Sequence, residues 1–224
     1  SGFTEPVDNF PAAVLWDMDG TLVDTEPYWF DAEFELVAEF GDTWTHADAL
    51  SLVGFDLLAS AHELRIRGGV RLEPVEVVER LLDGVISRVA EQLPWRPGAP
   101  ELLAECVAAG VPCVLVTMSW RRLADALIAS TPAGSFVASI AGDEVGKGKP
   151  DPEPYLAAAG ALGLDPANCV AIEDSPTGVA SALAAGCATL GVPHVVPVAA
   201  APGLTLVESL AGIGLADLRR LRGG

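Results

Sequence analysis

Two acids, Asp17 and Asp19, stand directly behind the apolar run Ala12-Ala13-Val14-Leu15-Trp16 and directly ahead of Gly20-Thr21. An apolar run of that length reads as a buried strand, and α/β folds place their chemistry where such strands end. A carboxylate at that point can bind a divalent cation and attack an electrophile, while a second one two residues on can move a proton. Gly20-Thr21 permits a sharp turn and offers backbone amides to an anion.

Three further signals fall where other strands should end. Thr117 closes Val111-Pro112-Cys113-Val114-Leu115-Val116, with Met118 and Ser119 behind it. Lys149 precedes Pro150-Asp151-Pro152, and Lys147 and Lys149 are the only two lysines of the chain. Glu173-Asp174-Ser175 closes Cys169-Val170-Ala171-Ile172 and opens a helix. Singly, each has an ordinary reading: Asp174 or Ser175 as a helix cap, Thr117 as a β-former, Lys149 as a surface charge. Gathered on one sheet edge, an acid pair, a hydroxyl, an ammonium and further acids are the set that phosphoryl transfer needs: a nucleophile, a cation site, charge to steady the equatorial oxygens, and a proton source for the leaving group.

The elements that must position these groups alternate. Apolar runs at 12–17, 112–117, 135–140, 168–173 and 188–192 read as buried strands, and Pro100–Ala109, Tyr155–Leu162 and Thr177–Ala185 read as helices ended by glycine. That alternation predicts an α/β fold, a Rossmann-like parallel sheet covered on both faces with all strand C-termini on one edge. From Asp24 to Leu93 the pattern changes to helices alone, at Tyr28–Phe40, Ala47–Leu52, Leu57–Ile66 and Val75–Gln92. The expected organisation is a core of residues 1–23 and 94–224 with an all-helical cap of residues 24–93, placed to exclude water and choose the substrate. The stretch from Val192 to Pro202 reads as a loop.

Composition narrows the classes. With 224 residues, 50% of them hydrophobic and 20% charged, the chain is globular rather than disordered. No apolar run is long enough to span a bilayer and no basic-then-apolar leader is visible, so no membrane or secretory signal is read and a cytoplasmic location is expected. A net charge of −18 argues against a nucleic-acid partner. Cys106, Cys113, Cys169 and Cys187 form no CxxC pair and His46, His62 and His194 are scattered, which predicts buried thiols rather than a zinc site.

The ordered set Asp17-x-Asp19-Gly20-Thr21-Leu22-Val23-Asp24-Thr25-Glu26, Thr117, Lys149-Pro150-x-Pro152 and Glu173-Asp174-Ser175 resembles the haloacid dehalogenase superfamily, in its β-phosphoglucomutase-like branch with a helical cap, over essentially the whole chain. The resemblance implies Asp17 as a nucleophile that becomes an aspartyl-phosphate, and Asp19 as the acid/base. It implies Mg²⁺ held by Asp17, the Asp19 carbonyl and Asp174, with Glu173 nearby. Thr117 would bond the phosphoryl group and Lys149 would neutralise it. Gly20, Thr21, Met118, Ser119, Arg121 and Trp29 are expected against the substrate, with Arg121 reaching into the cleft.

The same comparison orders the alternatives. Phosphonate hydrolases of the superfamily need a cap lysine, and none lies between Asp24 and Leu93; the dehalogenases lack the second acid, here Asp19. Sugar-phosphate mutases carry an arginine after a Val-Gly in the cap, where this chain has Val53-Gly54-Phe55-Asp56-Leu57-Leu58. Hydrolysis of a small phosphate ester by a monomer or weak homodimer is therefore the expectation, ahead of a mutase and of a non-catalytic binding protein on the same fold.

Overall fold

Strand β1 (Ala13–Asp17) is apolar up to its last residue and buried throughout, and it becomes the centre of the sheet. In the computed structural model, which describes residues 9–222, five more strands join it: β2 (Cys113–Val116), β3 (Ala138–Ile140), β4 (Cys169–Glu173), β5 (Ala188–Gly191) and β6 (Leu204–Leu206). Every pairing is parallel, in the order β3-β2-β1-β4-β5-β6. The order reverses at β1, so the crevice of a doubly wound sheet opens at the end of that strand. Register sets the level of the side chains there: Asp17 lies opposite Val116 and Trp16 opposite Ile172, which brings Glu173 abreast of Asp17 and Thr117 one residue beyond it.

Between β1 and β2 the chain leaves the sheet. It forms α1 (Glu26–Glu39), α2 (His46–Ser51), α3 (Leu57–Ile66) and α4 (Pro74–Glu91), then returns through α5 (Ala99–Ala108). Exit and return are tied together: the Asp24 amide donates to Pro94 O, the Arg96 amide to Leu22 O, and Val23 bridges Trp95. The helices α6 (Arg121–Ser130), α7 (Glu153–Ala161), α8 (Pro176–Ala185) and α9 (Leu215–Arg219) complete the layers around the sheet.

The sheet's own faces separate two cores. One is small, built of Leu15, Val114, Val116, Ala171 and the α7 residues Tyr155, Ala158 and Ala159. The other is large and continues from Trp16, Leu115 and Ile172 through α5 and α6 into the insert, where Leu81, Leu82, Val85 and Val89 of α4 are buried. All four cysteines are free and buried, as composition implied.

The structure adds elements that the sequence pattern did not announce. Helix α6 has a clear apolar face, Leu123, Ala124 and Leu127, but starts at Trp120 with no side-chain cap, so its beginning carries no signature. Strand β6 has three residues and borrows its order from β5. Strand β3 is confined to 138–140 rather than the expected 135–140, because Ser135 turns back on Pro132.

One buried acid lies outside the sheet edge. Glu33, on the inner face of α1, is 5% exposed and accepts from Trp44 Nε1 at 3.0 Å. Burial pushes its carboxyl up to about 7, against which the Trp44 bond acts. A raised acid holds its proton in the folded chain while the unfolded chain has ionised, so stability is lost as pH rises from the ordinary carboxylate range to about 7. Glu33→Gln keeps an acceptor for Trp44 and removes the titration. It should be more stable than the parent at pH 8, by up to about 3 kcal/mol, and so melt higher there, while the two converge near pH 4.5; equal melting at both pH values in paired thermal scans would contradict this.

Candidate active site

Asp17 is the last residue of β1 and 8% exposed. One carboxylate oxygen accepts from Lys149 Nζ at 2.8 Å, and the other from the Thr21 hydroxyl at 2.7 Å. Burial alone would raise its pKa, but the Lys149 charge and hydrogen bonds from Asp174, Lys149 and Thr21 prevail and hold it below the ordinary value. It is a desolvated carboxylate kept ionised by a fixed cation.

The turn after β1 explains the residues that follow. The amides of Thr21, Leu22 and Val23 all fold back on Met18 O, and the Gly20 amide donates to Val23 O at 2.7 Å. Gly20 has φ +86°, and a Cβ there would run into the Asp174 carboxylate, so glycine is required twice over. This corrects the expectation for Gly20 and Thr21: both amides are consumed inside the turn, and the Thr21 hydroxyl, which also approaches Asp174 at 3.1 Å, ties the turn to the acids.

Asp19 is held apart from that cluster. Thr25 donates to one of its oxygens and Ser119 to the other, the latter at 3.0 Å. Burial raises its pKa to about 6, with the Asp17 charge adding to the effect and the two hydroxyls opposing it. Two acids two residues apart thus acquire opposite tendencies, Asp17 ionised and Asp19 able to carry a proton near neutrality.

Lys149 reaches across the sheet edge, with its side chain 7% exposed. Its ammonium contacts Asp17, Glu173 Oε1 at 2.6 Å and Val116 O at 3.0 Å. Burial works against the charge, yet Asp17 and Glu173 outweigh it and the ammonium titrates above its ordinary value. Glu173 is itself raised to about 7 by burial and by Asp17. Its Oε1 also accepts from the Tyr155 hydroxyl at 2.6 Å, and the Tyr155 ring lies 5.3 Å from the ammonium. Tyr155, fully buried on α7, is a member of the site that sequence reasoning missed; its place six residues after Lys149, facing the sheet on the first turns of a helix, was the available signal.

Asp174 follows β4, and burial together with the neighbouring Asp17 charge lifts its carboxyl to about 9. Ser175, not Asp174, is the cap of α8, accepting from the Gly178 amide at 3.1 Å. Oxygens of Asp17, Glu173 and Asp174 lie within 4.8 Å of one another. Glu173 Oε2 is buried without a partner, packed where a Cβ on residue 178 would collide with it. Crowded, hard oxygen donors that resist joint ionisation fit a divalent cation such as Mg²⁺, which would relieve the repulsion.

The remaining expected residues sort differently. Thr117 is buried beside Asp17's strand and its hydroxyl accepts from the Ser119 amide at 3.0 Å. Met118 lies behind this loop: its sulfur accepts from the Lys149 amide at 3.4 Å, and its backbone crosses Gly142 too closely for a side chain there. Trp29 sits one turn beyond Thr25, its amide bonded to Thr25 O, half-buried against the large core. Arg121 is a correction: its guanidinium binds Glu144, Asp125 and the Ser139 hydroxyl and carbonyl, outside the acid cluster, because two local carboxylates and a strand carbonyl offer more than the cleft does.

The comparisons with known proteins agree with this geometry. A haloacid dehalogenase-like hydrolase model matches residues 11–186. Hexitol phosphatase B of Escherichia coli (strain K12) is 32% identical over 81% of this chain and 83% of its own length. Protein CbbY of Rhodobacter capsulatus is 36% identical over 78% and 82%. The crystal structure of CbbY from Rhodobacter sphaeroides in complex with phosphate superposes with a TM-score of 0.80 at 29% identity, covering 92% of this chain and 98% of that one. A parallel sheet that ends in two separately tuned aspartates, a buried lysine and an acid cluster, matched by these relatives over most of its length, makes the chain a member of the haloacid dehalogenase-like hydrolases.

Proposed function

We propose that the chain is a Mg²⁺-dependent phosphatase that hydrolyses a small phosphomonoester through an aspartyl-phosphate on Asp17. The observation that carries this reading is the split between the two acids: Asp17 is kept ionised against Lys149, while Asp19 is held by Thr25 and Ser119 with its carboxyl raised to about 6. An ionised Asp17 attacks phosphorus and forms the Asp17 Oδ–P bond as the ester P–O bond breaks. Asp19 gives its proton to the departing alkoxide oxygen. In the second half Asp19 takes a proton from water, the water oxygen attacks phosphorus, and Asp17 is released as carboxylate with free phosphate. In this reading Lys149, paired with Asp17, and the buried Thr117 hydroxyl steady the phosphoryl oxygens. Mg²⁺ held by Asp17, Asp174 and the Asp19 carbonyl, with Glu173 beside it, supplies Lewis-acid charge neutralisation at the phosphate.

The insert formed by α1–α4 acts in this reading as the cap. Tyr28 and Trp29 are half-buried at its near end, and Phe55, just before α3, and Leu58, in its first turn, are exposed, which supports an apolar, aromatic-bearing pocket for the leaving group in this reading. A relative named hexitol phosphatase supports a sugar phosphate or a similar metabolite as substrate. The test is phosphate release from a panel of small phosphomonoesters, including β-glucose 1-phosphate with a coupled assay for glucose 6-phosphate. Free phosphate that stops on adding a chelator and returns with Mg²⁺ is expected. Glucose 6-phosphate formed without free phosphate would make the chain a mutase instead.

A further inference from the structure

The insert is joined to the sheet domain by two strands of chain at one place, between Leu22–Asp24 and Pro94–Arg96. Among its helices, α4 makes the main contact with that domain, laid along α6. Interdigitated apolar side chains of α4 and α6 favour one crossing angle. Charged residues beside that seam add a second, directional restraint. Glu79 and Asp83, one turn apart on α4, would repel each other on a bare helix. Arg122, in the first turn of α6, spans them, donating to Asp83 at 2.5 Å and to Glu79. Asp83 and Glu79 lie about 12 and 18 Å along α4 from its hinge-side end at a rise of ~1.5 Å per residue, so a modest bond there acts on a long lever.

The footing of Arg122 is equally specific. Its neighbour Arg121 nails the same turn of α6 to Glu144 and Ser139 of the sheet domain. Three residues earlier, Ser119 donates to Asp19. One short segment, 119–122, therefore touches the acid/base, the sheet and the insert in succession.

We propose that Arg122 is a positioning residue whose two-carboxylate clamp sets the angle of the insert over Asp17 and Asp19, and thereby the affinity for substrate. The effect on affinity rests on the phosphatase reading; the clamp itself does not. Exposed pairs are individually weak, so the expected consequence is moderate and sensitive to salt.

Two measurements separate the parts. Leu50→Cys and Val137→Cys, one exposed site on the insert and one on the sheet domain, allow spin labelling because the native cysteines are buried. In that background a single narrow distance distribution is expected, broadened or displaced by several ångströms in Arg122→Glu and restored when Glu79→Arg and Asp83→Arg are added. On the best ester of the panel, Arg122→Ala should raise KM about three- to tenfold with kcat within about twofold, and the rise of KM with salt should be smaller than in the parent. Unchanged distances in Arg122→Glu, or no restoration by the swapped charges, would overturn the clamp. Altered distances with an unaltered KM would overturn its role in substrate affinity. Absence of any phosphate release by the parent would overturn the phosphatase reading while the distance measurement still decided the clamp.

Discussion

Asp17→Asn is expected to lower phosphate release by at least about a thousandfold while leaving the thermal midpoint within a few degrees of the parent. The loss follows from chemistry: an amide oxygen does not displace an alkoxide from phosphorus and cannot form the covalent intermediate. The preserved fold follows from the surroundings. Asparagine keeps an oxygen for Lys149 Nζ, which now stands 2.8 Å from the carboxylate, and removes a negative charge that raises Asp19, Glu173 and Asp174. Losing the pairing with Lys149 and losing the repulsion from three acids act in opposite directions. Phosphate release measured beside a circular-dichroism melt checks both halves; substantial turnover by the folded variant would remove Asp17 as nucleophile.

Lys149→Met should differ by damaging both properties. Methionine matches the length of the stem but leaves Asp17 and Glu173 buried without their cation. Removing one partner of a buried ionic group costs roughly 3–5 kcal/mol, which in a chain of this size lowers the midpoint by roughly 10 °C. Turnover should fall by about two to three orders of magnitude, since the charge placed to steady the phosphoryl oxygens is gone. The melt and the rate are again read together. A variant as stable as the parent would mean that the ammonium is not the buried partner of these acids.

Much of this was legible before any coordinates. The apolar run ending in Asp17-x-Asp19 announced a central strand and its acids, because a strand buried on both faces has to be apolar along its whole length. The helical stretch between Asp24 and Leu93 was visible from periodicity, and the structure places α1–α4 there with ends shifted by a few residues. Helix α6 and strand β6 were not visible. The first opens without a capping side chain, and the second is too short to carry a pattern.

The candidate site divides along the same line. Asp17, Asp19, Thr117, Glu173 and Asp174 were named from sequence because each ends a strand or follows one closely, and strand ends are local facts; Lys149, well past β3, stood out as one of only two lysines, in a Gly-rich segment ahead of Pro150. What only the tertiary structure decided is which of their atoms meet: that Asp17 and Asp19 face different partners, that Tyr155 closes on Glu173, that the Gly20 and Thr21 amides are consumed within their turn, and that Arg121 turns away to Glu144. Those outcomes depend on contacts between residues as many as 132 positions apart, and on competition among neighbouring acids for few cations. The sequence by itself determined the types of groups on the sheet edge and their order. The parallel register and the burial of that edge determined their charges and their pairing, because a carboxylate's preference for a proton is set by what lies within a few ångströms of it and not by its place in the chain.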